Sequence, residues 1–222
     1  NHGWASVRTL VCQWKNRLRV LQVLSIFDLL PQAAKQKFRI FGAKRMCQAG
    51  PDYRRGDELP HIAIIGACPG RQEEEAGRPF IGPTGANLAV MVGIINGLRA
   101  DKFPSGFRDD YTLLNAHSIP RYVGRVGYDG RTEPSRAEVL NEDNIARLIH
   151  QLEQTEITRA LLTGLRPKWL IERLIDELPG IELFGSGHPS QRRWNLFYPG
   201  RPQAEKLTRW AQDSFEVVWP LT

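Results

Sequence analysis

Apolar residues in this chain gather into short runs that each close on a small or polar residue, and helical periodicity fills the intervals between them. The runs are Ile62-Ala63-Ile64-Ile65, closing on Gly66; Tyr111-Thr112-Leu113-Leu114, closing on Asn115; Ala160-Leu161-Leu162-Thr163; and the stretch from Ile181 to Phe184, leading into Ser186-Gly187-His188. Unbroken runs of this length suit strands buried on both faces. Between them, Leu88, Met91, Val92, Ile95 and Leu98 line one face of a helix that Thr84 is placed to cap and that residues 97–106 end. Ile145, Leu148, Ile149 and Leu152 mark a second helix, and Leu170, Ile171, Leu174 and Ile175 a third with Pro167 at its start. Residues 203–214 read as helical, and 215–219 as an apolar closing segment.

Upstream, Val7, Leu10, Val11, Trp14, Leu18 and Leu21 recur at helical spacing, and 26–38 is a second helical stretch broken near Pro31. Residues 50–60, with two prolines and mixed charge, read as a linker. Strand and helix alternate, which predicts a three-layer α/β/α fold around a central four-stranded parallel sheet with right-handed crossovers. The expected division is 1–60 as an N-terminal helical extension and linker packed on the core, and 61–222 as the catalytic domain.

Charge narrows the choice of partner. Lys and Arg outnumber Asp and Glu by 30 to 24, giving a net charge of +6 and favouring a polyanion, although many enzymes carry such a charge. No apolar run approaches a membrane span and no signal peptide is visible, so an intracellular, cytoplasmic protein without membrane contact is expected, nucleoid-associated in a prokaryote and monomeric. The cysteines, Cys12, Cys47 and Cys68, are odd in number and widely spaced, which fits reduced thiols rather than a disulfide framework.

Chemistry-bearing residues collect where the runs end, which is where an open α/β sheet binds ligands. The loop after the first run carries Pro69-Gly70 and then Glu73, Glu74 and Glu75; a carboxylate there can orient or deprotonate a water, or the acids can form a solvated loop. Phe80 alone reads as a core residue, Asn115 as a turn former and His188 as a structural histidine. In the irregular segment 118–135, Arg121, Arg125 and Arg131, followed by Arg136, alternate with Tyr122, Tyr128 and glycines 124, 127 and 130. Arginines can neutralise phosphates while tyrosines stack on bases, so the segment is either a DNA-contacting loop or a flexible solvated one, with length to spare for a lid.

The block 66–82, Gly-Ala-Cys-Pro-Gly-Arg-Gln-Glu-Glu-Glu-Ala-Gly-Arg-Pro-Phe-Ile-Gly, resembles without a gap the Gly-Glu-Ala-Pro-Gly, acidic pair, Gly-Arg-Pro-Phe-Val-Gly block of the iron–sulfur branch of the uracil-DNA glycosylase superfamily. His188-Pro189-Ser190 resembles that family's second motif. The resemblance implies that a base flipped out of DNA stacks on Phe80 in a pocket walled by Gly66, Ala67, Cys68 and Gly70. It implies that Asn115 reads the pyrimidine edge with one donor and one acceptor. It implies that His188 stabilises charge on the leaving base. Ser190, Arg192, Arg193 and Trp194 would then hold the DNA, with Trp194 either wedging the base stack or anchoring its loop to the core; Arg121 and Arg125 would add contacts outside the pocket. His117 either joins the pocket or faces solvent, the second being the expectation.

Two departures from the family block matter. Ala67 stands where the block has an acid, leaving Glu73 or Glu74 as the nearby candidates to activate water and opening room for an enlarged or hypermodified pyrimidine. Three cysteines cannot supply a four-thiolate cluster, so no metal and no cofactor is expected. The implied activity is that of a monofunctional glycosylase acting on single- or double-stranded DNA that contains a uracil-like or modified base, in repair or against modified phage DNA. A catalytically silent binder of DNA or modified bases is the alternative, and an unrelated α/β hydrolase is disfavoured because no Gly-Lys-Ser/Thr phosphate loop occurs.

Overall fold

All four apolar runs form strands, and these lie side by side in parallel. In chain order the strands are β1 (Tyr53–Arg54), β2 (Leu59–Gly66), β3 (Tyr111–Asn115), β4 (Arg159–Thr163), β5 (Glu182–Ser186) and β6 (Glu216–Trp219). They make one sheet in the order β1-β3-β2-β4-β5-β6, with β2, β3, β4 and β5 parallel and the two outer strands antiparallel to their neighbours. The computed structural model describes residues 47–219, and the helical stretches read at 7–21 and 26–38 lie outside the described residues.

The outer strands revise two expectations. Residues 50–60 hold β1 and the start of β2 rather than a plain linker: Tyr53 is buried and registers with Leu114. Residues 215–219 add a strand, with Val217 opposite Phe184. Both cover sheet edges that would otherwise expose unpaired amides and carbonyls. A strand of two residues carries no readable period, so β1 left no signal in the sequence.

Side chains alternate across the sheet. Ala63, Ile65, Leu114, Ala160, Leu162 and Leu183 pack with Leu148, Ile149, Leu152 and Leu174 on one face, while Ile62, Ile64, Leu113, Leu161 and Phe184 pack with Leu88, Val92 and Ile95 on the other. The helices are α1 (Arg71–Ala76), α2 (Pro83–Leu98), α3 (Arg136–Val139), α4 (Glu142–Glu153), α5 (Leu165–Lys168), α6 (Ile171–Glu177), α7 (Gln191–Phe197) and α8 (Gln203–Ser214). This is a three-layer α/β/α arrangement. Gly82 rather than Thr84 is the N-cap of α2: its φ of 92° suits glycine, and Pro83 follows at the first helical position. Pro167 falls inside the separate short helix α5, one turn before α6.

The chain leaves β2 towards the α2 layer but leaves β3 and β4 towards the α4 and α6 layer. Helices after the neighbouring strands β2 and β4 therefore lie on opposite faces, which opens a crevice at their carboxyl ends. Gly66 registers with Asn115, and Thr163 with Ser186, so four strand ends line one edge of the sheet.

A third cluster joins the helices beyond the sheet: Met91 of α2, Trp194 of α7, and Leu207 and Ala211 of α8. Trp194 is 0% exposed, so its indole anchors α7 and is not available to wedge a base stack. Trp194→Ala is expected to lower the unfolding free energy by about 3–5 kcal/mol, read from urea denaturation; a loss under about 1 kcal/mol would contradict the anchoring role.

Candidate active site

The end of β2 is built for close approach. A Cβ on Gly66 would stand 2.6 Å from Cζ of Phe80 and 2.8 Å from Oδ1 of Asn115, so the phenyl ring and the amide both rest against a bare backbone. Phe80 is 6% exposed and takes φ 54°, a left-handed conformation unusual for a bulky residue. It is held there by Arg108, whose Nη1 donates to the carbonyls of Phe80 (2.8 Å) and Gly85 (3.1 Å). Gly85 also makes room, since a Cβ on it would lie 1.7 Å from the Phe80 carbonyl oxygen. Arg108 also pairs with Asp109 at 2.8 Å, and the Phe80 ring packs with the α2-side core cluster; a left-handed backbone at a bulky residue persists only where its surroundings hold it.

Asn115 is buried at the end of β3. Its amide N–H donates to the Asp52 carbonyl (2.9 Å), its Nδ2 reaches the Pro51 carbonyl at 3.4 Å, and its own carbonyl accepts from Arg147 Nη2 (3.1 Å). Arg147 rises from α4, whose first turn is capped by the Asn141 side chain, and it pairs with Asp52 at 2.9 Å. His117 is also buried, which overturns the solvent-facing expectation: its backbone N–H donates to the Ala67 carbonyl (3.0 Å) and its Nδ1 has no partner. Hydrogen bonding of the extended backbone beside β2 carries His117 inward. Burial pushes the His117 imidazole below the usual histidine range.

His188 follows β5 and is packed against Gly164, the residue after β4, where a Cβ would lie 2.9 Å from its own Cβ; φ at Gly164 is 94°. The loop is fixed from the opposite layer. Trp210 Nε1 donates to the His188 carbonyl (3.0 Å), and Asn87 Nδ2, on the helix that follows the first motif, donates to the Pro189 carbonyl (3.1 Å). Burial lowers the His188 imidazole pKa, Glu133 opposes that shift, and Arg193 adds to it, so the ring is neutral near pH 7. Ser190 caps α7 without using its hydroxyl, and Arg192 and Arg193 project from the first turn as exposed groups.

The remaining charged candidates have partners of their own. Glu73 folds back to accept the Gly70 N–H (3.0 Å), and burial raises its pKa. Glu74 takes a forked contact from Arg125 (3.0 and 3.1 Å) and the Tyr122 hydroxyl (2.6 Å), which hold its pKa low. Glu74 thus ties segment 118–135 to α1, and Glu73 is the less committed of the two. Arg121, with its side chain 11% exposed, is paired with Asp129 and Glu138, and Arg131 binds the same two acids. The guanidinium groups of Arg121 and Arg125 are therefore engaged by Asp129 of the loop, Glu138 of α3 and Glu74 of α1, and Arg71 stacks over Tyr122 at 5.1 Å. Cys68 donates its thiol towards the Thr132 carbonyl at 3.8 Å; burial, reinforced by Glu133 and Glu73 against Arg121, pushes its pKa up to about 12, so it stays a neutral wall of the crevice.

A family model described as the uracil DNA glycosylase superfamily matches residues 53–212. The chain belongs to the uracil-DNA glycosylase superfamily. No curated protein matches it. The superfamily span begins at β1 and ends within α8, so it takes in every loop described above. The cluster of the superfamily's iron–sulfur branch does not fit these residues: Cys47 packs beside Gln154 and the Asp52–Arg147 pair, Cys68 faces Thr132, and among the described residues no three His, Cys, Asp or Glu side chains are grouped to hold a metal ion. No helix among them is long and apolar enough to cross a membrane.

Arg108, Arg147, Asn87 and Trp210 were not legible as site residues, because each acts on a backbone carbonyl remote in sequence. Gly164 had a visible signal, a glycine directly after a strand.

The buried His117 and the half-buried His188, both pushed below the usual histidine range by loss of solvent, make stability depend on pH. The unfolded chain protonates them below about pH 6.5, the folded chain only at lower pH, so unfolded protein binds more protons and stability falls as pH drops through that value. Urea midpoints should fall between pH 7.5 and 6.0, and His117→Phe should flatten the slope; an equal slope in the variant would contradict the assignment.

Proposed function

We propose that this chain is a monofunctional DNA glycosylase that flips a uracil-like or enlarged pyrimidine out of DNA and hydrolyses its N-glycosidic bond. The observation that carries the reading is the convergence of the Phe80 ring and the Asn115 amide on Gly66, at the same sheet edge from which β5, two strands away from β2, leads into His188. A base stacked on Phe80 meets the Asn115 amide at its edge, and a neutral His188 donates to the carbonyl on which charge collects as the bond breaks. Ala67, Cys68, Gly70 and His117 complete the pocket wall. The methyl of Ala67 leaves space beside the base, which supports enlarged or hypermodified pyrimidines as substrates.

Arg192, Arg193 and the Ser190 hydroxyl face outward beside His188 and supply the phosphate contacts. Lys102 and Lys168 bind Glu182 and Glu216, and Lys206 binds Asn195, so none of the described lysines is offered for a Schiff base. The reading is therefore of hydrolysis without strand cutting at this site, by a monomer working through side chains and water. Repair of the cell's own DNA is the broader role and attack on modified phage DNA the narrower. Ala67 favours one second reading, a silent binder of modified bases that has lost its water-activating acid.

Duplexes and single strands containing uracil, hypoxanthine, thymine mismatches or glucosylated hydroxymethylcytosine, followed by alkaline cleavage, separate the readings: product on any of them supports the glycosylase, and tight binding without product the silent binder. On the substrate so found, His188→Ala and Asn115→Ala are each expected to lower the single-turnover rate at least about a hundredfold with unchanged melting. Full activity in both would overturn the site.

A further inference from the structure

Three carboxylates of the loops after β2 and β3 each have a partner: Glu74 binds Arg125 and Tyr122, Glu73 the Gly70 N–H, and Glu133 binds Arg166. The third, Glu133, comes from the far end of segment 118–135. Its neighbour Thr132 receives the Cys68 thiol at 3.8 Å, which sets this stretch against the loop after β2. Its own Oε2 lies 2.7 Å from Nη2 of Arg166 in α5, the helix that begins right after Gly164, and Gly164 is the residue against which His188 packs. Arg166 is in turn stacked on Trp169 at 4.6 Å. One carboxylate is thus held between the loops that follow β2 and β5 by the loop that follows β4, at the point where the strand order reverses. Its side chain is 51% exposed, so it is open to water. Its charge reaches both the Cys68 thiol, where it adds to the rise caused mainly by burial, and the His188 imidazole, where it opposes the lowering caused by burial.

We propose that Glu133 is the carboxylate that serves the reaction centre where position 67 has only a methyl group, orienting the attacking water and facing the sugar cation. The inference rests on the glycosylase reading. As the C1′–N bond breaks, its electron pair leaves with the base; the water oxygen bonds to C1′, one water proton passes to Glu133 and on to solvent, and the base takes up a proton. Loss of the acid at position 67 is then a relocation of that function.

The test compares wild type, Glu133→Gln and Glu133→Gln with Ala67→Glu. Duplexes carry either a pyrrolidine abasic analogue, whose ring nitrogen is cationic, or the neutral tetrahydrofuran analogue. Wild type should prefer the cationic analogue, Glu133→Gln should lose at least about tenfold on it with the neutral analogue unchanged, and the double variant should recover. A merely structural role would weaken both analogues alike. Equal loss on both, or no loss, overturns the proposal even if no excised base has been found. Where excision is measurable, Glu133→Gln should slow it at least about a hundredfold at saturating DNA, and a rate within threefold of wild type also overturns it. Absence of excision by wild type on every duplex strikes the glycosylase reading alone, leaving Glu133 to be judged by the paired analogues.

Discussion

Phe80 and Asn115 can share the end of β2 only because Gly66 has no Cβ: any side chain there would overlap both the ring and the amide. The arrangement around that contact follows from it. The ring must come back over the strand, which forces the left-handed turn at Phe80, and Arg108 supplies the two hydrogen bonds that hold this backbone in place. The amide must lie in register with Gly66, which Arg147 enforces from α4 through the Asn115 carbonyl. Both arginines thus act on main-chain oxygens, where each satisfies an acceptor.

Electrostatics divide the acids by task rather than by position in the motif. Glu74 has a low pKa and a full set of partners, so it works as a tether, whereas Glu73 sits in a drier setting that favours its neutral form. Glu133 belongs to no motif; it is balanced by Arg166 on one side while its side chain stays half exposed. The loop that carries it keeps its shape mainly through exposed ion pairs, each worth little alone, joined into a network through Asp129 and Glu138.

The central strands and their order of appearance were legible because continuous apolar runs and helical spacing leave strong periodic signals. Gly66, Phe80, Asn115 and His188 were singled out by the resemblance to the family's motifs, since their local sequence alone reads as a turn or a core position. What was not legible is instructive. His117 was expected outside and is inside, since an imidazole at the end of an extended run is equally compatible with either until its backbone partner, Ala67, is known. The choice between wedge and anchor for Trp194 turned on whether α2, α7 and α8 meet, a tertiary fact with no local trace. The arginines of 118–135 suggested phosphate binding by composition, but Asp129, Glu138 and Glu74 claim two of the candidates at distances that only folding reveals.

The bond from Asn87 to Pro189 joins the helix after the first motif directly to the backbone of the second, across 102 positions of chain. A crosspiece of this kind sets the gap between the two halves of the pocket without passing through anything that lies between them in sequence. Intervening loops are thereby released from the task of spacing, and they can lengthen or change shape while the two motifs keep their separation.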